Sequence, residues 1–170
     1  MAVGKHERSN EGFTNTWITP KYIIDALCKF DLDPCVAINQ PWETAEHSYN
    51  EIDDGLSKPW FGRVWLNPPY GPHTGKWMSK LAEHGNGIAL IFARTETKQF
   101  VENVWNKAYG VLFIHGRLCF YDEHGNRGKG NAGAPSCLVA YGYDCLDILE
   151  RQKEIPGTFI RLLGDLQKAE

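Results

Sequence analysis

The chain is 170 residues long, 42% hydrophobic and 23% charged, with a formal net charge of −3. That balance suits one soluble globular domain with a single sizeable core. No apolar run reaches the roughly 20 residues of a membrane span, and the opening MAVGKHERSNEGF lacks the apolar centre of a signal peptide. Five cysteines without a C-x-x-C fit neither a disulfide framework nor a zinc site, so mostly buried thiols in a reducing cytoplasm are expected. The six histidines have no metal-ligand spacing, and no metal is expected.

Charge is uneven along the chain. Residues 31–60 hold seven acids (Asp31, Asp33, Glu43, Glu46, Glu51, Asp53, Asp54) against Lys58 alone, a local balance of −6 that leaves +3 elsewhere. Such a stretch is either solvated loop or a face presented to a cationic ligand.

In chain order, residues 1–13 read as a disordered polar tail ahead of one domain over 14–170. Thr19-Pro20 has the form of a helix start, with Thr as N-cap and Pro in the first helical position. Ile23, Ile24, Leu27 and Phe30 then predict an amphipathic helix over roughly 20–29. FDLDP reads as a short strand stopped by Pro34, and 35–60 as mostly irregular with a weak strand near Ser48-Tyr49-Asn50. RVWLN predicts a strand, HTGKWMSKLAEHG a helix closed by Gly85, and the wholly apolar GIALIFA a strand covered on both faces. TETKQFVENVWNKAYG predicts a helix with Phe100, Val104 and Ala108 on one face. GVLFIHG, RLCFYDE and SCLVAYG read as strands. The glycine-rich HGNRGKGNAGAP between the last two, carrying Arg127 and Lys129, reads as a mobile, weakly basic loop without packing residues. DCLDILERQKE predicts a terminal helix.

Helices alternating with apolar strands through residue 115 imply an α/β sheet, largely parallel. The last strands, joined by a loop, imply an antiparallel addition at the end of that sheet. Folds of this kind bind ligands outside the carboxyl ends of their strands, which puts Asp33 and Asn67 on one rim.

The stretch LNPPYG carries the most chemistry. Two prolines remove two backbone donors and fix two φ angles, so a rigid, extended hook leaves the strand after Leu66. The Asn67 side-chain carbonyl and the Pro68 main-chain carbonyl are two acceptors suited to one NH₂ group. Tyr70 offers a flat face for a planar group. An amine conjugated to a ring is a poor nucleophile, and acceptors on both N–H bonds favour the tetrahedral nitrogen of its transition state. The hook alone specifies a planar amine or amide; the plainer reading is a turn followed by a core aromatic.

LNPPYG resembles the catalytic motif of the amino-methyltransferases, which methylate adenine N6, cytosine N4 or glutamine side chains. With TWITPKYIIDALCKFDLDPCV ahead of it and RTET and GRLCF after it, the order resembles the small phage-type DNA N6-adenine methyltransferases over about residues 13 to 142. The resemblance implies a compact Rossmann-like methyltransferase fold and S-adenosylmethionine as methyl donor. It assigns Asn67, Pro68, Pro69 and Tyr70 to catalysis. It assigns Asp33, Pro34 and Cys35 to the cofactor, with Thr16, Trp17, Thr19 and Pro20 enclosing its methionine end. The Gly-x-Gly turn of larger relatives is missing from DPCVAINQ, and the span from the first strand to the catalytic strand leaves no room for a full helical crossover. Asp53 or Asp54 is a cofactor contact by position. The acidic segment then faces the sulfonium and ammonium of the cofactor.

Trp60, Trp65 and Trp77 read as core residues flanking the hook. Arg94 and Thr95 meet substrate or its phosphate, or Thr95 caps the following helix; Arg117 serves an ion pair or a DNA contact. The expected substrate is adenine in DNA, flipped from the duplex onto Tyr70. Recognition falls to loops, chiefly 122–135 with Arg127 and Lys129, assisted by a second subunit if the enzyme is a homodimer. A glutamine methyltransferase acting on a protein fits the same hook but usually carries a partner-recognition domain. A non-catalytic nucleic-acid-binding module is the third reading, and the intact hook speaks against it. The expected setting is a bacterial cytoplasm, with a phage or prophage gene.

Overall fold

The computed structural model describes residues 17–162; Thr16 and the expected N-terminal tail lie outside them. Seven strands form one sheet: β1 Leu32–Asp33, β2 His47–Ser48, β3 Val64–Leu66, β4 Gly87–Phe92, β5 Gly110–Ile114, β6 Ser136–Tyr141 and β7 Gly157–Arg161. Their order is β2-β1-β3-β4-β6-β5-β7. The first four pair in parallel, while β6 runs antiparallel to both neighbours, β4 and β5, and β7 runs antiparallel to β5.

Two apolar layers sandwich the sheet. Helices α1 (Lys21–Ala26) and α4 (Tyr143–Arg151) bring Ile23, Ile24, Leu27, Cys145 and Leu149 against Trp65, Ile88, Leu90 and Leu138. On the opposite face, α2 (Thr74–His84) and α3 (Lys98–Phe100) bring Trp77, Met78, Leu81 and Phe100 against Leu66, Ala89, Ile91 and Val139. Alternate residues of β4 thus serve opposite layers, as a doubly covered strand requires.

Several expectations are corrected. The antiparallel strand β6 is inserted between β4 and β5 and not added at the sheet's end; all six of its residues are buried, which suits an interior place. The edge belongs to β7, whose residues are mostly exposed or half-buried and which the sequence pattern did not mark. RLCFYDE is no sheet strand: within it only Tyr121 bridges, to Ile18 and to Arg127. Helix α1 stops at Ala26 because Cys28 takes a left-handed φ of 69°. Its N-terminus is Pro20 without a side-chain cap, so Thr19 does not cap it. α3 continues as one wide π-helical turn, Val101–Trp105, and its cap is Thr97, which accepts from the Phe100 N–H, rather than Thr95. Phe100, Val104 and Ala108 are buried as their spacing requires. Of the cysteines only Cys137 and Cys145 are buried; all five are free. Loop 122–135 does carry packing residues, since Ala132 and Ala134 are buried.

Candidate active site

β1 to β4 run in one direction, so their carboxyl ends share a rim. Beneath that rim lies a cavity of about 770 Å³. Asp33, Pro34 and Cys35 reach it from β1; Asn67, Pro68, Pro69 and Tyr70 from β3; Trp17 and Thr19 from the segment crossing above. The sequence placed these groups together, and the fold does bring them together. Pro20 opens α1 and is not part of the lining.

The hook is braced from below. Thr74 at the start of α2 is buried; its hydroxyl donates to the Pro69 carbonyl at 2.7 Å and accepts from the Gly71 N–H at 3.0 Å. The Cys35 thiol donates to the Asn67 carbonyl at 3.2 Å. Asn67 Nδ2 donates to the Trp17 carbonyl at 2.7 Å, while Oδ1 is buried without a donor among the described residues. A buried acceptor left unpaired costs roughly 1–3 kcal/mol, so its retention needs a reason. Among the described residues, no hydrogen bond is made to the Pro68 carbonyl.

Tyr70 is stacked on Phe92, ring centroids 4.1 Å apart and planes 13° from parallel. One face of the ring is therefore committed to the chain. Its hydroxyl is buried without a partner, and burial raises its pKa. The Arg94 guanidinium lies over Phe92, 5.9 Å from its ring centroid. Arg94 lines a second cavity of about 390 Å³, also bordered by Tyr70, and not the first.

Asp33 is 4% exposed, and both of its oxygens are engaged: Oδ1 accepts from the Cys35 N–H at 3.1 Å and Oδ2 from the Thr44 hydroxyl. Burial pushes its pKa up to about 6, against the opposing pull of these two hydrogen bonds. Cys35 is half-buried as a residue, but desolvation of its sulfur, reinforced by the Asp33 charge, raises the thiol well above its usual range. Of the acidic pair, Asp54 lines the cavity and Asp53 does not; Asp53 Oδ2 accepts from the Asn50 N–H at 2.9 Å and closes a turn.

Sequence reasoning missed Thr44, Asn50 and Glu51, all of which line the cavity. Gly55 was also missed. A Cβ there would lie 1.9 Å from the Pro34 carbonyl oxygen, so only glycine lets this segment press against the end of β1. The close approach that β1 lacks a glycine for is thus made from the other side.

Arg127 and Lys129 are exposed on a hairpin. Asp122 ties its turn, accepting from the backbone N–H groups of His124 and Asn126, each at 2.9 Å. Glu123 borders the cavity and accepts from Asn39 Nδ2 at 3.3 Å, so the hairpin stands at the cavity's mouth. Arg117 donates to the Ala132 carbonyl at 3.3 Å and forms no ion pair among the described residues. Among the described residues, no helix is long and apolar enough to cross a membrane, and no cluster of His, Cys, Asp and Glu could hold a metal.

No curated protein and no solved structure matches the chain significantly. A family model does, that of DNA N-6-adenine-methyltransferase (Dam), over residues 7–142. The match takes in β1 to β6 and every strand end that builds the cavity. With most of its length covered, the chain belongs to the Dam family of DNA N-6-adenine-methyltransferases.

Proposed function

We propose that this chain transfers a methyl group from S-adenosylmethionine to N6 of an adenine in DNA, with the base turned out of the helix into the cavity. The observation that carries the reading is Asn67 Oδ1, a buried acceptor kept without a donor beside the unengaged Pro68 carbonyl. An incoming NH₂ group supplies the two hydrogens these oxygens lack.

The residues fit such a cofactor. Asp33, Glu51 and Asp54 bring carboxylates to the cavity wall, matching a ligand that carries two cationic groups and ribose hydroxyls. When bound, S-adenosylmethionine supplies an electrophilic methyl group. Asn67 Oδ1 and the Pro68 carbonyl accept from the amine and favour its pyramidal, nucleophilic form. Tyr70, backed by Phe92, holds the base by stacking, worth about 1–3 kcal/mol. Pro69 and Thr74 keep the hook from relaxing. Arg94, Arg127 and Lys129 are assigned to the DNA backbone.

The reading includes a compact Rossmann-like methyltransferase fold in one domain over 14–170, acting in a bacterial cytoplasm on host or phage DNA. Thr16, with Trp17, Thr19 and Pro20, belongs to the cofactor-enclosing segment. Sequence recognition falls to the 122–135 hairpin and, in a homodimer, to a second subunit.

The test is transfer of tritiated methyl groups from S-adenosylmethionine to unmethylated DNA, RNA and protein. Label recovered as N6-methyladenine in DNA is expected. Label in protein glutamine alone, or none above background, overturns the proposal.

A further inference from the structure

Among the described residues, the Asn67 amide is anchored at one atom, Nδ2. Nδ2 donates to the Trp17 carbonyl, and Oδ1 has no partner. An amide held at one atom has two orientations about its Cβ–Cγ bond, and one of them exchanges acceptor for donor. A donor turned toward an incoming amine repels it. Whatever holds the Trp17 carbonyl in place therefore decides which atom the amine meets.

Two contacts do so. Ile18 exchanges a pair of backbone hydrogen bonds with Tyr121, its N–H donating at 3.1 Å and its carbonyl accepting at 3.0 Å. One residue on, the Thr19 carbonyl accepts the Trp42 indole N–H at 3.2 Å. The Trp42 ring meets the Tyr121 ring edge-on, with centroids 5.2 Å apart and planes at 81°. Gly125, at the hairpin's turn, lies against Pro41 and Trp42. Trp42 itself does not line the reaction cavity.

We infer that Trp42 and the Ile18–Tyr121 bridge clamp residues 17–19 as a strap whose Trp17 carbonyl orients the Asn67 amide for methyl transfer. The role given to Asn67 rests on the proposed function above. Trp42 is thus a positioning residue, acting on the reaction through the strap. Tyr121 also bridges Arg127, so the hairpin at the cavity's mouth and the acceptor on the hook share one support. Seating of the hairpin and orientation of the amide are mechanically linked.

The test follows the Asn67 side-chain amide protons by nitrogen-15 NMR in the full chain, assigned by their loss in Asn67→Ala. Single-turnover methyl transfer is measured alongside, at saturating DNA and S-adenosylmethionine. Trp42→Phe keeps a ring against Tyr121 and deletes the N–H; Trp42→Ala deletes both. Solvent exchange of the Asn67 amide should speed about 3-fold in Trp42→Phe and about 10-fold in Trp42→Ala, the range of one to two weak hydrogen bonds. Methyl transfer should slow by similar factors. Unchanged amide protection in Trp42→Ala overturns the inference, as does lost protection with a wild-type rate. Should Trp42→Ala fail to fold, Trp42→Phe decides by the same two readouts. If the wild-type chain methylates no DNA, the proposed function fails, while amide exchange still tests the clamp.

Discussion

The two sides of the sheet are built to different rules. On one side β2, β1 and β3 are two, two and three residues long, joined by irregular segments. On the other β6, β5 and β7 run six, five and five residues in antiparallel register, with β4 as the seam. Nearly all of the cavity wall comes from the short-stranded side or the strap above it. Long strands buried on both faces supply hydrophobic stabilisation, and short strand ends supply loops that can face a ligand. This small chain keeps its stability and its proposed chemistry on opposite sides of one sheet.

Substitutions can break that division if it is wrong. The largest effect belongs to Asn67→Ala. Single-turnover methyl transfer should fall on the order of 10²–10³-fold, as when one preorganised hydrogen-bonding group is lost. The urea midpoint should stay near that of the wild type, since losing the Nδ2 hydrogen bond to the Trp17 carbonyl is offset by removing a buried acceptor that has no donor among the described residues. A wild-type rate would reduce the hook to a turn.

Leu138→Ala, in the centre of β6, should do the reverse. Leu138 is fully buried, and its truncation should cost about 2–5 kcal/mol in urea unfolding. The transfer rate of the remaining folded fraction should not change. A rate loss matching that of Asn67→Ala would mean that the two sides are not separable.

At Asp33 the proposed function works against stability. Its folded pKa of about 6 lies above the ordinary 3.8, so the folded chain holds this proton more tightly than the unfolded one. The resulting stabilisation is complete below the ordinary value and is lost as pH rises through the folded one. The ionised form therefore costs up to about 3 kcal/mol near neutral pH. Asp33→Asn should be the more stable chain by up to that amount at neutral pH, with the gap closing by about pH 4. It should also bind S-adenosylmethionine more weakly in calorimetry. A gap independent of pH would remove the carboxylate's burial as its cause.

The smallest effect concerns the hairpin. Replacing Arg127 and Lys129 with Ala should flatten the dependence of log DNA affinity on log salt by about one to two units, with cofactor affinity unchanged. An unaltered slope would place the DNA backbone elsewhere.

Sequence legibility divides along the same line. β3, β4, β5 and β6 were readable because unbroken apolar runs and bounding glycines leave few alternatives, and α2 because Gly85 closes it. The hook was readable because Asn-Pro-Pro-Tyr restricts the backbone by itself. β7 was not, since GTFIR at a half-covered edge has neither an apolar run nor a clean alternation. Tyr121 reads as part of a strand because Leu118, Cys119 and Phe120 form an apolar run ahead of it; its role depends on Ile18, distant in sequence. Gly55 and Thr44 carry no local signal at all, because what each touches lies on β1 or just beyond its end. Asp54 and Asp53 are adjacent and chemically identical, and only the turn closed by Asp53 separates their roles.

The missing helical crossovers have a consequence for how the molecule assembles. Among the described residues, parallel strands β1, β2 and β3 are linked by segments 34–46 and 49–63 without a helix between them. Parallel pairing then demands loop closure before any local structure rewards it, which makes this side the slower to form. β5, β6 and β7 are joined through antiparallel partners and can consolidate first. The side that forms last is also the side that opens first by local unfolding. Under the proposed function, a ligand seated among Asp33, Asp54 and the hook would bind the closed form alone and stabilise this side by mass action.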